Sequence, residues 1–243
     1  PYAQQDPEHF HGTPPFDTAT GKPLRASTRS FSNVFGDTLL ELARQDPRIC
    51  AITAAMTSGT GLTEFSKELP DRFFDVGIAE GHAVAMAGGM AKQGLIPVFA
   101  VYSSFLQRGF DMLIHDISLD KLHAVFCVDR AGLVGADGQT HHGCFDPAYL
   151  TQIPGMTVLC PASFAELRDM LRHAICKVSG PVAIRYPRGG EKDYTDASDP
   201  ERCYITLQDG ADFTILSYGI LINEALKAAE LLAEKGISVR VIK

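Results

Sequence analysis

The chain contains no Cys-x-x-Cys pair, although six cysteines are present: Cys50, Cys127, Cys144, Cys160, Cys176 and Cys203. Most lie in apolar runs, where cysteine behaves as a small buried hydrophobe. The pattern argues against a disulfide framework and for a reducing, cytoplasmic compartment. No apolar run approaches the ~18 residues that span a bilayer. Basic residues are the minority, 22 against 29 acidic ones, and the formal net charge is −7. A surface of that sign argues against a general nucleic-acid or membrane-surface binder, and leaves room for local basic clusters that hold a phosphorylated small molecule. The sequence has no internal repeat, no helical His-x3-His pair, no phosphate loop ending in Gly-Lys-Ser/Thr and no strand-coupled Gly-x-Gly-x-x-Gly. It also lacks an initiating Met and a signal peptide, opening on Pro1, and it stops at "GISVRVIK" in what reads as the middle of a domain. The expectation is a fragment of a longer protein whose other parts hold half of a site.

What is present is a regular alternation of helical and strand-like runs. Residues 1–27, rich in Pro, Gly, Asp and His, read as a surface linker. From Phe31 the order is a helix "FSNVFGDTLLELARQD" with Ser at its N-cap, a strand "RICAITAA", a short helix stopped by Pro70, a strand "RFFDVG" and a helix ending at Gly94. A strand "LIPVFAVY", a helix "SFLQRGFDMLIHDIS" and a strand "LHAVFCVD" follow. After a long Gly-rich loop come a strand "MTVLCP", a helix "SFAELRDMLRHAICKV" and a strand "GPVAIRYP". Short, uniformly apolar strands between helices predict an α/β fold with a mainly parallel sheet covered on both faces over 28–190. Residues 191–202 read as a second linker, and 203–243 as the start of a second α/β domain containing one β-α-β unit.

In such sheets ligands bind outside the carboxyl ends of the strands. Glu80, Tyr102, Arg130 and Arg188 all follow strand ends. Glu80 opens a helix that carries almost no charge and so is expected to be buried. A buried carboxyl group favours its neutral form, which can donate a hydrogen bond to a ring nitrogen. The plainer role is a first-turn acid that complements the helix dipole. In "YSSFLQR", Tyr102 and Phe105 share a helical face and Arg108 supplies a cation, although Phe105 would equally serve as core. The loop "DRAGLVGADGQTHHG" is long enough to be functional, and holds Asp129, Arg130, Asp137, His141 and His142 among five glycines. A metal site on Asp137, His141 and His142 is disfavoured, because adjacent histidines diverge in extended chain. In "RYPRGG", Arg185 and Arg188 flank a proline, an arrangement that suits a phosphate or carboxylate, or an ordinary surface ion pair.

Taken together, "FFDVGIAEGHAV", "PVFAVYSSFLQRGFDMLIHD", "DRAGLVGADGQTHHGCFD" and "AIRYPRGG" resemble the deoxyxylulose-phosphate-forming branch of the transketolase-like thiamine-diphosphate enzymes, over nearly the whole chain. The resemblance implies a pyrimidine-binding domain followed by an incomplete C-terminal domain. It implies a homodimeric cytoplasmic transferase that condenses pyruvate with glyceraldehyde 3-phosphate, releasing CO2, on the route to isoprenoids, thiamine and pyridoxal. Glu80 then matches the glutamate that hydrogen-bonds N1′ of the aminopyrimidine and so promotes proton removal from the thiazolium. Phe105 matches the aromatic stacked on that ring, with Tyr102 beside it. His141 and Asp137 match polar groups at the reacting carbon, in proton-transfer or orienting roles. Tyr102, Arg130 and Arg188 match the side chains around the acceptor phosphate, and Arg108 a cation of the same cleft.

The sequence departs from the family pattern in two ways. "AEGH" stands where the family has "AEQH", placing Gly81 where an amide is usual. The family's Gly-Asp-Gly…Asn motif for Mg2+ and diphosphate is missing, since "ADG" at 136–138 lacks its first Gly and the downstream Asn. The metal is therefore expected on an N-terminal domain outside this chain, and the 243 residues alone are expected to be inactive. Two rival functions are a 2-oxo acid dehydrogenase β subunit, which passes an acyl group to a lipoyl arm, and a non-catalytic module that kept the fold.

Overall fold

The structure, a computed structural model, describes residues 28–243 together with 15–20, Gln4 and Leu24. The linker expected over 1–27 thus lies mostly outside the described residues. Ser30 caps α1 (Phe31–Gln45) as the sequence predicts: its hydroxyl accepts from the Asn33 N–H, and the Asn33 side chain accepts from the Ser30 N–H. There follow β1 (Ile49–Thr53), α2 (Thr63–Glu68), β2 (Phe73–Asp75), α3 (Glu80–Lys92) and β3 (Ile96–Tyr102). Next come α4 (Ser103–Leu106), β4 (Val125–Asp129), α5 (Asp146–Leu150), β5 (Thr157–Leu159), α6 (Phe164–Cys176) and β6 (Val182–Arg185).

The six strands form one parallel sheet in the order β2-β1-β3-β4-β6-β5. Both faces are covered, which is why β1 and β4 are buried at every residue. Successive side chains of β3 feed two different cores. Ile96, Val98 and Ala100 join Phe31, Phe35 and Leu39 of α1 and Leu167 and Leu171 of α6. Phe99 and Val101 join Val84 and Ala87 of α3, with Leu113 and Ile117, on the other face.

Three details differ from the sequence expectation. First, α3 is buried along one face only: Ala83, Val84, Ala87 and Gly88 are covered, whereas His82 and Gly89 are exposed. Its low charge reflects small residues as well as burial. Second, the stretch after β3 is not one helix. After α4 come a 3-10 turn (Gln107–Gly109), a turn of α-helix (Phe110–Met112) and a π-helical segment (Leu113–Ser118). Gly109 lies against α3 so closely that a Cβ there would stand 2.8 Å from Val84 Cγ2. Third, the smaller sheet has an unexpected member. The parallel pair β8 (Phe213–Leu216) and β9 (Val239–Ile242), joined through α7 (Ile222–Ala233), agrees with the predicted β-α-β unit. β7 (Thr206–Gln208) adds antiparallel to β9, and three residues are too short to display a period.

The order reverses at β1, which has β2 on one side and β3 on the other, so the carboxyl ends there form a switch-point crevice. One backbone contact fixes its rim. A Cβ on Gly36 of α1 would overlap the Gly61 carbonyl oxygen in the segment leaving β1. Helix propensity makes Gly36→Ala stabilising by up to ~1 kcal/mol. The contact makes it destabilising by about 1–3 kcal/mol instead. Chemical denaturation of the wild-type and variant proteins distinguishes the two signs, and the packing account predicts the loss.

Candidate functional site

The exits of β1, β2, β3, β4 and β6 surround a cleft of about 1060 Å³. Glu80, Tyr102, Phe105, Arg108, Arg130, Asp137, His141 and Arg188 all line it, whereas Asp129, His142 and Arg185 do not. Glu80 is the first residue of α3 and only 2% exposed. Its Oε1 accepts from Arg108 Nη1 at 2.6 Å. Its Oε2 is buried and meets no hydrogen-bond partner among the described residues. The bond to Arg108 was not foreseen. It gives Arg108 a task inside the chain, as the side-chain partner of Glu80. An unpaired buried oxygen costs about 1–3 kcal/mol, which a donor on a bound molecule would recover.

Beside Glu80 stands an aromatic wall. Tyr102 and Phe105 stack with ring centroids 5.6 Å apart, and His141 meets Phe105 edge-on at 5.3 Å. Arg108 lies 5.2 Å over the Phe105 ring. Burial pushes the Tyr102 phenol up to about 12, an effect that the neighbouring Arg130 opposes, so the ring is a neutral platform. A Cβ at Gly59, in the segment after β1, would overlap the Tyr102 hydroxyl.

The guanidiniums occupy the far side. Arg130 lies 3.7 Å over the Tyr102 ring, donates from Nε to Asp137 Oδ2 at 3.1 Å and from Nη1 to the Gly59 carbonyl at 3.1 Å. Arg188 Nε is 3.0 Å from the same Asp137 oxygen. Asp137 therefore bridges two cations in the lining of the cleft. His141 Nδ1 is 3.0 Å from the Thr140 hydroxyl. His142 diverges from its neighbour and accepts the Val134 N–H on Nδ1, so the two histidines hold no common ligand. Among the described residues, no group of three or more His, Cys, Asp or Glu is arranged to hold a metal.

Arg185 is a correction. It was paired with Arg188 as an anion grip, yet it donates to Asp146 at 2.7 and 3.3 Å, outside the cleft. Strand alternation is the cause: Ile184 and Tyr186 point to the α1 face of the sheet, and Arg185 to the other. Gly81 does not line the cleft either. A Cβ there would lie 3.0 Å from the Met112 thioether methyl and 3.4 Å from the Arg108 carbonyl. The missing amide thus bears on the α3 contact with Met112.

Two carboxylates were missed as site residues. Asp75 Oδ1 accepts the N–H groups of Ala55 and Gly77, and Thr57 donates to Oδ2. Asp129 is fully buried; its oxygens accept from the Ser32 hydroxyl and from the Arg130 N–H, each at 2.6 Å. The signal that could have found the β1 segment was available, since "AMTSGTG" is a strand exit like the other four. Burial raises the Asp129 carboxyl to about 6, and the Arg130 charge and the Ser32 bond only partly offset this. A carboxyl raised on folding binds its proton more tightly in the folded state, so its ionisation costs stability as pH rises from its ordinary range through about 6. Relative to Asp129→Asn, the wild type is expected to lose a few kcal/mol, by the roughly 1.4 kcal/mol per pKa unit of linkage, between pH ~4.5 and ~7.5. Denaturant unfolding of both proteins at the two pH values measures it; a constant difference would contradict the burial account.

Comparison with known proteins gives the following. Residues 27–190 match the family described as transketolase, pyrimidine binding domain, and residues 204–243 match transketolase, C-terminal domain. The 1-deoxy-D-xylulose-5-phosphate synthase of Clostridium kluyveri is 52% identical over 99% of this chain, which covers 39% of that protein. The enzyme of the same name from Syntrophomonas wolfei is 50% identical over 97% of this chain and 38% of that protein. The chain thus spans about two fifths of the length of these curated relatives. A split-gene transketolase, described as an inactive β4 tetramer, superposes with a TM-score of 0.77 at 31% identity, over 88% of this chain and 70% of that one. The transketolase from Leishmania mexicana reaches the same TM-score of 0.77 at 18% identity, over 90% of this chain and 35% of its own, which is a likeness of fold.

Proposed function

The chain belongs to the transketolase family by its pyrimidine-binding domain, and on that premise we propose that it is part of a thiamine-diphosphate-dependent synthase joining pyruvate to glyceraldehyde 3-phosphate. The product of that reading is 1-deoxy-D-xylulose 5-phosphate, with CO2 released, as the names of the relatives suggest. Residues 28–190 then form the pyrimidine-binding domain, 191–202 a link and 203–243 the start of the C-terminal domain. A cytoplasmic homodimer completes the reading. No helix among the described residues is long and apolar enough to cross a membrane.

The observation that carries the proposal is the unpaired Oε2 of Glu80 beside a ring-sized aromatic wall. The residues present fit a flat nitrogen heterocycle. Phe105 offers its face, and Glu80 Oε2 holds a proton at a ring nitrogen while Oε1 stays on Arg108. Thiamine diphosphate, when bound, supplies the electron sink for cleavage at the carbonyl carbon of a 2-oxo acid. Mg2+ is assigned to the part of the protein outside this chain.

The chain's other side chains order the substrates. His141 stands at the wall's edge, where its imidazole can exchange a proton with a substrate oxygen. Asp137 takes the Nε groups of Arg130 and Arg188 and Gly59 takes Nη1 of Arg130, so the remaining N–H groups of the two guanidiniums are the ones to meet a phosphate. That pair of arginines favours a phosphorylated acceptor over a lipoyl arm. In the complete protein, Glu80→Gln is expected to lower turnover of pyruvate and glyceraldehyde 3-phosphate by at least ~100-fold, the scale of a lost proton-transfer group. Product analysis checks the substrate assignment in the same assay. Lipoyl-dependent acyl transfer, or a Gln variant with near-normal turnover, would overturn the reading.

A further inference from the structure

Asp129 has no part in the chemistry just described. It is fully buried and does not line the cleft, so it touches no substrate. Its two oxygens are nevertheless committed with short bonds, one to Ser32 of α1 and one to the backbone N–H of the residue that follows it. That residue, Arg130, has φ 58°, in the left-handed region that side-chain-bearing residues rarely adopt. We propose that Asp129 is a positioning residue for the acceptor's phosphate, holding Arg130 in the backbone conformation that lays its guanidinium on Tyr102 and presents its free edge to the cleft. The inference rests on the acceptor assignment above.

The same device occurs a second time in the cleft. Ala55, at the exit of β1, has φ 59°, and its N–H is held by Asp75 Oδ1 at 2.8 Å. The exits of β1 and β4 therefore each have an aspartate that captures the N–H of a left-handed residue. The two converge on one side chain, because the segment that Asp75 fixes supplies the Gly59 carbonyl that accepts from Arg130 Nη1 at 3.1 Å. Ser32 adds the anchor: its hydroxyl bond spans 97 positions and fixes the Asp129 carboxylate to α1. An amide at 129 removes the negative charge that strengthens both bonds, and the Ser32 hydroxyl must turn from donor to acceptor to keep its contact. The hold on Arg130 in the left-handed region is weakened, and with it the seat of the guanidinium on Tyr102.

The test is steady-state kinetics of the complete enzyme with glyceraldehyde 3-phosphate and with unphosphorylated D-glyceraldehyde as acceptors. Asp129→Asn is expected to raise KM for the phosphorylated acceptor about tenfold, the loss of one charge-assisted bond, with kcat and the KM for pyruvate much less affected. The preference for the phosphorylated acceptor should fall by the same factor. Ser32→Ala should shift it in the same direction by less, and it carries the test if the Asn variant does not fold. Arg130→Ala should lower the preference further than Asp129→Asn does, leaving what Arg188 supplies, and adding Asp129→Asn to it should change nothing more. Equal losses with both acceptors, or an unchanged preference in both Asp129→Asn and Ser32→Ala, would overturn the positioning role. An unchanged preference in Arg130→Ala would instead overturn the acceptor assignment itself, so the two failures are distinguishable.

Discussion

One buried carboxylate sets the terms for the rest of the cleft. Glu80 has an oxygen on Arg108 and an oxygen on nothing, at a depth where an unsatisfied acceptor is costly. The chain accepts that cost because the position is dictated from two sides. α3 must begin where β2 ends, and its buried face must lie on the sheet beside the segment that follows β3. Arg108 comes from that segment, 28 positions along the chain, so the ion pair also ties the two strand exits together. The broken winding of 103–118 is the local consequence, since Gly109 has to pass close to Val84 for Arg108 to reach Glu80.

The cleft has two halves with different physics. Around Glu80 the surface is aromatic, suited to a flat ring. Around Arg130 and Arg188 it is cationic, with Asp137 as a shared counter-charge. Tyr102 belongs to both, stacking on Phe105 and lying under the Arg130 guanidinium, and the absence of a side chain at Gly59 makes room for its hydroxyl. A sheet covered on both faces keeps these pieces in register. The exit of β1 contributes the run Ala54 to Gly59, and the exits of β3 and β4 contribute three residues each.

Much of the architecture was legible in the sequence because it depends on local pattern. Apolar runs of strand length, helical spacing and the Ser30 cap identify the parallel sheet and its covering helices. β7 was not legible, being short and paired antiparallel with β9, whose sequence partner is distant. The strand-exit rule pointed to Glu80, Tyr102, Arg130 and Arg188, the family resemblance added Phe105, Arg108, Asp137 and His141, and all eight line the cavity. What pairs with what was hidden. Arg185 fails as a cleft residue through a one-position alternation, and Asp137 works between two arginines. Asp129 and Asp75 act through left-handed residues that no composition announces. Each of these depends on register or on contacts far apart in the chain, which a linear reading does not contain.

The central claim is that Glu80 Oε2 meets a ring nitrogen of the cofactor. Calorimetric titration of the complete protein tests it most directly, using thiamine diphosphate and an analogue in which that ring nitrogen is replaced by C–H. The wild type should bind the analogue about tenfold or more weakly, the worth of a buried charge-assisted hydrogen bond, and Glu80→Ala should bind the two ligands equally. If the analogue is weakened to the same extent in both proteins, the nitrogen is recognised elsewhere and the account of this cleft is wrong.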